Sequence, residues 1–282
     1  MVENRPFLTA FSHFVVLLGV IIIAFPVWMT FVASTHDQQT MLQSPIPILP
    51  GGQLIENYAR VITEGYGKVG GVPVWQTLTN SLIMALGVAI GKIAISIIAA
   101  FAIVYFRFPL RMTFFWAIFV TLMLPVEVRI VPTYGVVANL GMLDSYSGLI
   151  IPLIASATAT FLFRQFFLSV PDELTEAARV DGASPMRFFW DILLPMSRTS
   201  IAALFVIQFI YGWNQYLWPL LITTKESFYT VVMTVSRQAN VVDSVPSWNL
   251  LMAMAMLAMI PPVLVVVFMQ RQFVRGLVET EK

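Results

Sequence analysis

Apolar runs of about twenty residues or more alternate with polar segments along this chain. Polar segments separate six long apolar runs, which cover residues 11–33, 80–105, 112–140, 148–168, 200–222 and 250–270. A helix that crosses the hydrocarbon core of a bilayer needs about 20 predominantly apolar residues. The pattern therefore predicts an all-α membrane protein with six transmembrane helices, whose two termini lie on the same side of the membrane.

The first run is longer than the apolar core of a signal peptide, which spans about 7–15 residues. We therefore expect an uncleaved first span, with a kink at Pro26. A turn-rich polar segment follows, in which residues 54–63 predict a short helix at the membrane surface. The third run is interrupted by Pro125 and Pro132, and Lys92 interrupts the second. A charge that faces lipid at mid-depth costs about 2.5 kcal/mol or more, so Lys92 must face protein or water. We expect it to pair with another group or to lie at a subunit interface.

Composition supports a membrane protein and excludes several kinds of chemistry. Hydrophobic residues make up 58% of the 282 residues and charged residues 11%, against about 25% charged residues in soluble domains. The chain has no Cys and two His, which excludes disulfides, Cys-zinc sites and a His-rich metal cluster. It contains neither GxxxxGK[ST] nor GxSxG, so it has no P-loop for ATP hydrolysis and no obvious nucleophile. We expect no bound cofactor and no catalysis by this chain.

The distribution of Lys and Arg predicts which polar segments face the cytoplasm, because positive residues accumulate there. In the six-span arrangement five of the sixteen lie on one side: Arg60, Lys68, Arg129, Lys225 and Arg237. Ten lie on the other side: Arg5, Arg107, Arg111, Arg164, Arg179, Arg187, Arg198, Arg271, Arg275 and Lys282. The side with ten should be cytoplasmic, which places both termini and the segment between the fourth and fifth runs in the cytoplasm.

That cytoplasmic segment, residues 169–197, is the most charge-dense part of the chain, and we call it the corner segment. Its pattern predicts two short helices joined by a turn. Ser169 is a candidate cap for the first helix, whose first turn would hold Pro171 and Asp172. Gly182 supplies the turn, and a second helix would begin at Ser184 and Pro185 and stop at Pro195.

The corner segment resembles the EAA loop of ATP-binding-cassette (ABC) importer permeases. The resemblance rests on Glu176-Ala177-Ala178, on Asp181-Gly182 and on the closing Leu193-Leu194-Pro195. It implies that this segment docks on an ATPase subunit, with small alanines packing closely and charged residues forming contacts around them. The alternative is a solvated loop whose charges indicate only exposure to water.

A wider resemblance covers nearly the whole chain. The segments FRFPLR, TLMLPVEVRI, SATATFLFRQFF, DGASPMRFF and FIYGWNQYLWPLL resemble the permeases of sn-glycerol-3-phosphate importers, within the maltose-type (MalG-like) family. The resemblance implies a type I ABC importer permease fold with both termini cytoplasmic. Residues 1–75 would form the first span with a periplasmic loop, 76–271 the transmembrane domain with five helices, and 272–282 a cytoplasmic tail.

The same resemblance implies how the chain is assembled and driven. Its partners would be a second permease subunit (UgpA-like), two copies of an ATPase (UgpC-like) that bind ATP and Mg, and a periplasmic solute-binding protein (UgpB-like). Alternating access would carry sn-glycerol-3-phosphate across the inner membrane. A related permease for a sugar or polyol is one alternative, and an ion-coupled secondary transporter is another. A secondary transporter would bury titratable groups in several spans.

Two groups of residues are candidates for the substrate path. Arg129 lies in an apolar run, where it could bind a phosphate bidentately. Alternatively, it could pair with Glu127 or with a partner subunit, or extend its charge to the membrane interface. Asn214, Gln215 and Tyr216 form a polar cluster in the fifth run, and polar groups surrounded by lipid must find partners. This cluster could contact substrate or bind neighbouring helices. In the maltose system the sugar site belongs to the other permease, so this chain could line the path without binding substrate.

Overall fold

The computed structural model describes residues 6–65, 71–120, 126–240 and 245–278, which form helices and no strand. These residues fall into two compact units. The first comprises Met1–Gln76 with Val235–Met259, and the second Thr77–Thr234 with Ile260–Lys282. The predicted division at residues 75 and 271 stays a prediction. Side chains of the predicted tail from residue 272 onward lie outside the described residues, as do Arg5, Lys68, Pro125 and the Glu127 side chain.

Three helices are long and apolar enough to cross a membrane, over Phe7–Ser34, Val74–Tyr105 and Trp248–Arg271. They lie within α1 (Pro6–Ser34), α4 (Val74–Tyr105) and α15 (Trp248–Val278). Two further pairs of helices are each apolar enough when taken together, but they are bent by 49° and 71°. The described residues thus contain three to five candidate spans.

The first unit has its buried polar contacts around Asn57. The predicted helix over residues 54–63 is confirmed as α3 (Leu54–Thr63), after a short α2 (Gln38–Met41). Asn57 Nδ2 donates to the carbonyl oxygens of Ser34 and His36 at 2.9 and 2.8 Å. Asn249 Nδ2 donates to Asn57 Oδ1 at 3.0 Å. These bonds satisfy backbone groups left free after the end of α1.

The second unit begins with α4 and continues through α5 (Arg111–Val120) and α6 (Val126–Asn139). The predicted break of the third run at Pro132 is wrong, because α6 continues through this proline. α7 (Tyr146–Ile150) passes through a 3-10 turn (Ile151–Leu153) that contains Pro152, and then α8 (Ala157–Leu168) begins. This run, predicted as one span, is therefore the pair bent by 49°.

The remaining helices form the corner segment and the fifth apolar run. They are α9 (Asp172–Val180), α10 (Pro185–Phe188), a π turn (Phe189–Leu193), α11 (Leu194–Met196), α12 (Arg198–Trp213), α13 (Leu217–Ile222), a 3-10 turn (Glu226–Phe228) and α14 (Val231–Ala239). The fifth run, predicted as one helix, is broken between α12 and α13. Pro219 contributes to this break because it has no N–H for the carbonyl four residues earlier.

Two apolar cores hold the second unit together. The corner core joins α4, α8, the corner segment and α12, through residues such as Phe101, Phe163, Phe189 and Leu204. The other core joins the first half of α4 to α6, α7 and α13, through residues such as Met84, Leu149 and Trp218.

Candidate functional site

The first helix of the corner segment, α9, begins without a side-chain cap. Pro171 occupies the cap position, and Asp172 and Glu173 stand in the first turn, where their charges favour the helix dipole. The predicted capping role of Ser169 is wrong. Ser169 ends α8 instead, and its hydroxyl donates to the Phe166 carbonyl oxygen at 2.7 Å.

Gly182 makes the turn that ends α9, as predicted. Its φ of +71° lies in the left-handed region that glycine adopts without strain. The Gly182 N–H donates to the Arg179 carbonyl at 3.1 Å, and the Ala183 N–H donates to the Ala178 carbonyl at 2.8 Å. This pair of bonds is a Schellman motif, which satisfies the last carbonyls of the helix and fixes the direction in which the chain leaves it.

The second half of the corner segment begins where it was predicted to begin. The Ser184 hydroxyl accepts from the Arg187 N–H at 3.3 Å, and Pro185 stands at the start of α10. The helical path continues through the π turn to Met196, one residue beyond the predicted stop at Pro195. From there it bends by 71° into α12, so the corner segment leads directly into a candidate span.

The two alanines of the EAA motif differ in their surroundings. Ala178 is 6% exposed and belongs to the corner core, together with Phe188 and Phe189. Ala177 and Glu176 are exposed, and Val180 is 87% exposed. The Phe189 ring lies 4.9 Å from that of Phe101 on α4. One side of α9 is thus fixed to the spans, while the other leaves an apolar side chain and charges exposed.

A polar cavity of about 510 Å³ lies between α9 and the short basic loop that follows α4. Arg107 and Arg111 from the loop side and Arg179 from α9 line it, with Asp172 and Glu176. Among the described residues these five side chains form no ion pair within 4.0 Å. The charges of this cavity are therefore open to groups from outside the chain.

The predicted polar cluster of the fifth run lies at the break between α12 and α13. Asn214 is exposed and ends α12, where its N–H donates to the Ile210 carbonyl oxygen at 3.0 Å. Gln215 is half-buried, and its Nε2 donates to the Tyr211 carbonyl oxygen at 3.1 Å. Tyr216 is 37% exposed, whereas Trp213 is buried and stacks on Phe209. The structure thus places these residues at an interrupted helix, which transporters use where the backbone lines a cavity.

Arg129 is exposed on α6. Its neighbour Ile130 packs in the same apolar core as Val88 of α4, and Tyr211 of α12 packs against that core. Lys92 is 6% exposed, and its Nζ lies 3.5 Å from the centroid of the Tyr211 ring. The expectation that Lys92 faces protein or water is therefore confirmed, and the group that it faces is an aromatic ring of this chain.

Sequence reasoning also missed Gln208 and Asp144. Gln208 is 4% exposed and shares one face of α12 with Tyr211, a pattern visible in the spacing of three residues. The Asp144 carboxylate accepts from the Thr224 and Lys225 N–H groups at 2.6 and 2.8 Å. These bonds, first of all that from Lys225, lower the pKa of Asp144. The signal for Asp144 was weak, because its partners are two backbone N–H groups and the Thr224 hydroxyl, some eighty residues away.

Comparison with known proteins identifies relatives over the whole length of the chain. Three are named "sn-glycerol-3-phosphate transport system permease protein UgpE", from Brucella melitensis biotype 1, Agrobacterium fabrum and Escherichia coli O157:H7. Each is 57% identical over 282 residues, which is 100% of both sequences.

The fold has a solved counterpart in the crystal structure of a bacterial ABC transporter involved in the import of the acidic polysaccharide alginate. One chain of that structure superposes with a TM-score of 0.81 at 19% identity, covering 97% of this chain and 99% of that one. Residues 92–279 match the profile of a family described as "Binding-protein-dependent transport system inner membrane component". The chain therefore belongs to this family of inner-membrane components of binding-protein-dependent transport systems.

Proposed function

We propose that this chain is a permease subunit of an ABC importer that moves sn-glycerol-3-phosphate across the inner membrane by alternating access. The substrate assignment rests on the 57% identity to permease proteins named for sn-glycerol-3-phosphate transport. The alignment covers 100% of this chain and 100% of each relative. At this identity the apolar runs, the corner segment and the substrate-path candidates all lie inside the aligned region.

The proposed arrangement in the membrane has six spans and both termini in the cytoplasm. Three long helices and two bent pairs supply five of these spans. The third would combine α5 with α6, across residues outside the described ranges. The excess of Lys and Arg supports placing the corner segment and the termini in the cytoplasm.

The corner segment is the proposed docking site for the ATPase. Glu176, Ala177 and Val180 would contact the ATPase surface, while Ala178 packs in the corner core. Pro195 lies in α11, directly before the bend into α12. Asp181 and Gly182 form the turn between the two helices. Because α9 ends in a fixed turn and packs on α4 and α8, displacement of the ATPase would move the spans with it.

The chain would work with three kinds of partner. A second permease completes the membrane part, two ATPase copies bind and hydrolyse ATP with Mg, and a periplasmic binding protein delivers the solute. The absence of a P-loop from the sequence supports the assignment of ATP hydrolysis to a separate subunit. Arg129, Asn214, Gln215 and Tyr216 are the proposed lining of the substrate path in this subunit.

Uptake in cells tests the proposed function. Cells that express the whole transport operon, with and without the gene for this chain, are supplied with labelled sn-glycerol-3-phosphate or labelled maltose. We expect loss of sn-glycerol-3-phosphate uptake without the gene and no effect on maltose uptake. Loss of maltose uptake alone would overturn the substrate assignment and favour a sugar permease.

A further inference from the structure

Lys92 carries a buried charge without a counter-anion in the part of the chain that the structure describes. It stands near the middle of α4, is 6% exposed and lies over the Tyr211 ring at 3.5 Å. No carboxylate and no hydrogen-bond acceptor among the described residues contacts its ammonium group. An ammonium that leaves water loses its hydration, and an aromatic face replaces only part of that stabilisation.

Arg129 adds a second positive charge nearby. It lies on α6 next to Ile130, which packs in the same apolar core as Val88, one turn before Lys92 on α4. Tyr211 packs against this core as well. Because Lys92 is buried, a nearby like charge repels it more strongly than it would in water, where the effective dielectric constant is higher. An arrangement of this kind is unfavourable by itself and becomes favourable when an anion enters between the two groups.

The helix that carries Tyr211, α12, packs closely against α4. Gly212 of α12 approaches α4 so closely that a Cβ atom at this position would lie 2.9 Å from Ala85 Cα. The Gln215 side chain donates to the Tyr211 carbonyl oxygen at 3.1 Å. Gln208, Tyr211 and Gln215 follow the spacing of one helix face. Tyr211 is therefore fixed in position under Lys92, and the site is preorganised on helices.

We propose that Lys92 and Arg129 form a two-cation site that takes the phosphate group of a phosphate monoester during its passage, with Tyr211 as the positioning residue for Lys92. The proposal rests on the proposed function and adds to it the chemical group that is recognised. A phosphate monoester carries a charge of about −1.5 to −2 at pH 7, which matches two cations. Arg can bind it bidentately and Lys as a point charge. A neutral sugar or polyol cannot neutralise the pair, so the site would select for the phosphate ester.

The test uses the complete importer in proteoliposomes, with its binding protein loaded with labelled sn-glycerol-3-phosphate. Uptake and ATP hydrolysis are measured in the same samples for wild type, Lys92→Met, Arg129→Gln and Lys92→Arg. We expect both neutral variants to lower uptake about 10- to 100-fold, the usual effect of losing one hydrogen bond to a charged group. ATP hydrolysis stimulated by the binding protein should persist in them, and Lys92→Arg should restore most of the uptake.

A matched control removes a positive charge elsewhere. Lys225→Met changes an exposed loop residue whose backbone N–H, not its side chain, bonds Asp144. It should leave uptake and ATP hydrolysis at wild-type values. Tyr211→Leu should raise the KM for uptake because Lys92 loses the ring that it lies over. The conservative variant Tyr211→Phe, which keeps the ring, should restore most of this loss.

Three results would overturn the proposal while leaving the proposed function intact. The first is an active wild type with unchanged uptake in both neutral variants. The second is a parallel fall of uptake and ATP hydrolysis, which indicates a structural role. The third is an equal loss of assembled importer in Glu127→Gln and Arg129→Gln, which indicates an internal ion pair. If the wild-type importer takes up no sn-glycerol-3-phosphate, the proposed function itself fails.

Discussion

The corner segment and the break between α12 and α13 both interrupt the apolar pattern, yet they differ in how their polar groups are satisfied. The corner segment has its charges on the exposed side of α9 and ends that helix with a complete Schellman motif around Gly182. The break has no charged residue, and Gln215 turns back to bond the Tyr211 backbone. The charged interruption thus leaves its charges exposed, whereas the uncharged one bonds part of its polar groups to its own backbone.

The largest effect should come from Gly182→Pro. Proline fixes φ near −65°, whereas the turn needs +71°, and it removes the N–H that bonds the Arg179 carbonyl. A residue forced out of its allowed region costs about 1–3 kcal/mol, so the corner should change its path. We expect loss of uptake in cells, with the protein still in the membrane on immunoblots.

Gly182→Asn is the matched control, because Asn tolerates positive φ, and it should retain most uptake. Normal uptake by Gly182→Pro would show that the turn does not couple the ATPase to the membrane spans.

A pair of alanine variants should separate the two sides of α9. Ala178→Leu overpacks the corner core and should lower the free energy of unfolding by about 1–3 kcal/mol. Ala177→Leu lies on the exposed side and should leave the thermal midpoint of the purified chain unchanged. It should instead weaken binding of the ATPase in a pull-down. Equal thermal midpoints for the two variants would contradict the division into a fixed and a free side.

At the break, Gln215→Leu should have a smaller effect. It removes the bond to the Tyr211 carbonyl, which is worth about 0.5–1.5 kcal/mol. We expect a lower thermal midpoint and little change in ATPase binding, the opposite of Ala177→Leu. Asn214→Ala serves as the control, because the Asn214 side chain is exposed and its backbone N–H makes the capping bonds. Weaker ATPase binding by Gln215→Leu at an unchanged thermal midpoint would contradict the proposed difference between the break and the corner segment.

The smallest effect concerns Asp144, which bonds the segment that follows α13. Hydrogen bonds from Lys225 and Thr224 lower its pKa below the ordinary value of 3.8. The stabilisation is therefore fully present above about pH 3.8. It is lost as the pH falls through the lower pKa of the folded state. Hydrogen exchange at the Thr224 and Lys225 amides should be slow at pH 5 and faster in Asp144→Asn, which accepts these bonds less strongly. Equal protection of the Thr224 and Lys225 amides in the variant and the wild type would show that Asp144 does not stabilise this segment.

The sequence allowed the prediction of features that depend on local chemistry. Gly182, Ser184 and the helix over residues 54–63 were predicted from turn, capping and periodicity signals, and all three were confirmed. The break after Trp213 was missed because an apolar run does not show whether a helix inside it continues. Ser169 was assigned to the wrong helix end, since a serine can bond carbonyls behind it as well as N–H groups ahead. The contact of Lys92 with Tyr211 joins residues far apart in sequence, so only the fold could show it.

Cross-linking from the corner segment in the assembled importer tests whether this segment docks on the ATPase. The chain has no native Cys, so a single introduced thiol can carry a photoactivated cross-linker. Val180→Cys, at a side chain that is 87% exposed on α9, is compared with Ile55→Cys, at one that is 81% exposed on α3. We expect cross-linking of the ATPase subunit from position 180 and none from position 55. Failure at position 180 in an importer that contains the ATPase, or cross-linking of the ATPase from position 55, would contradict this expectation.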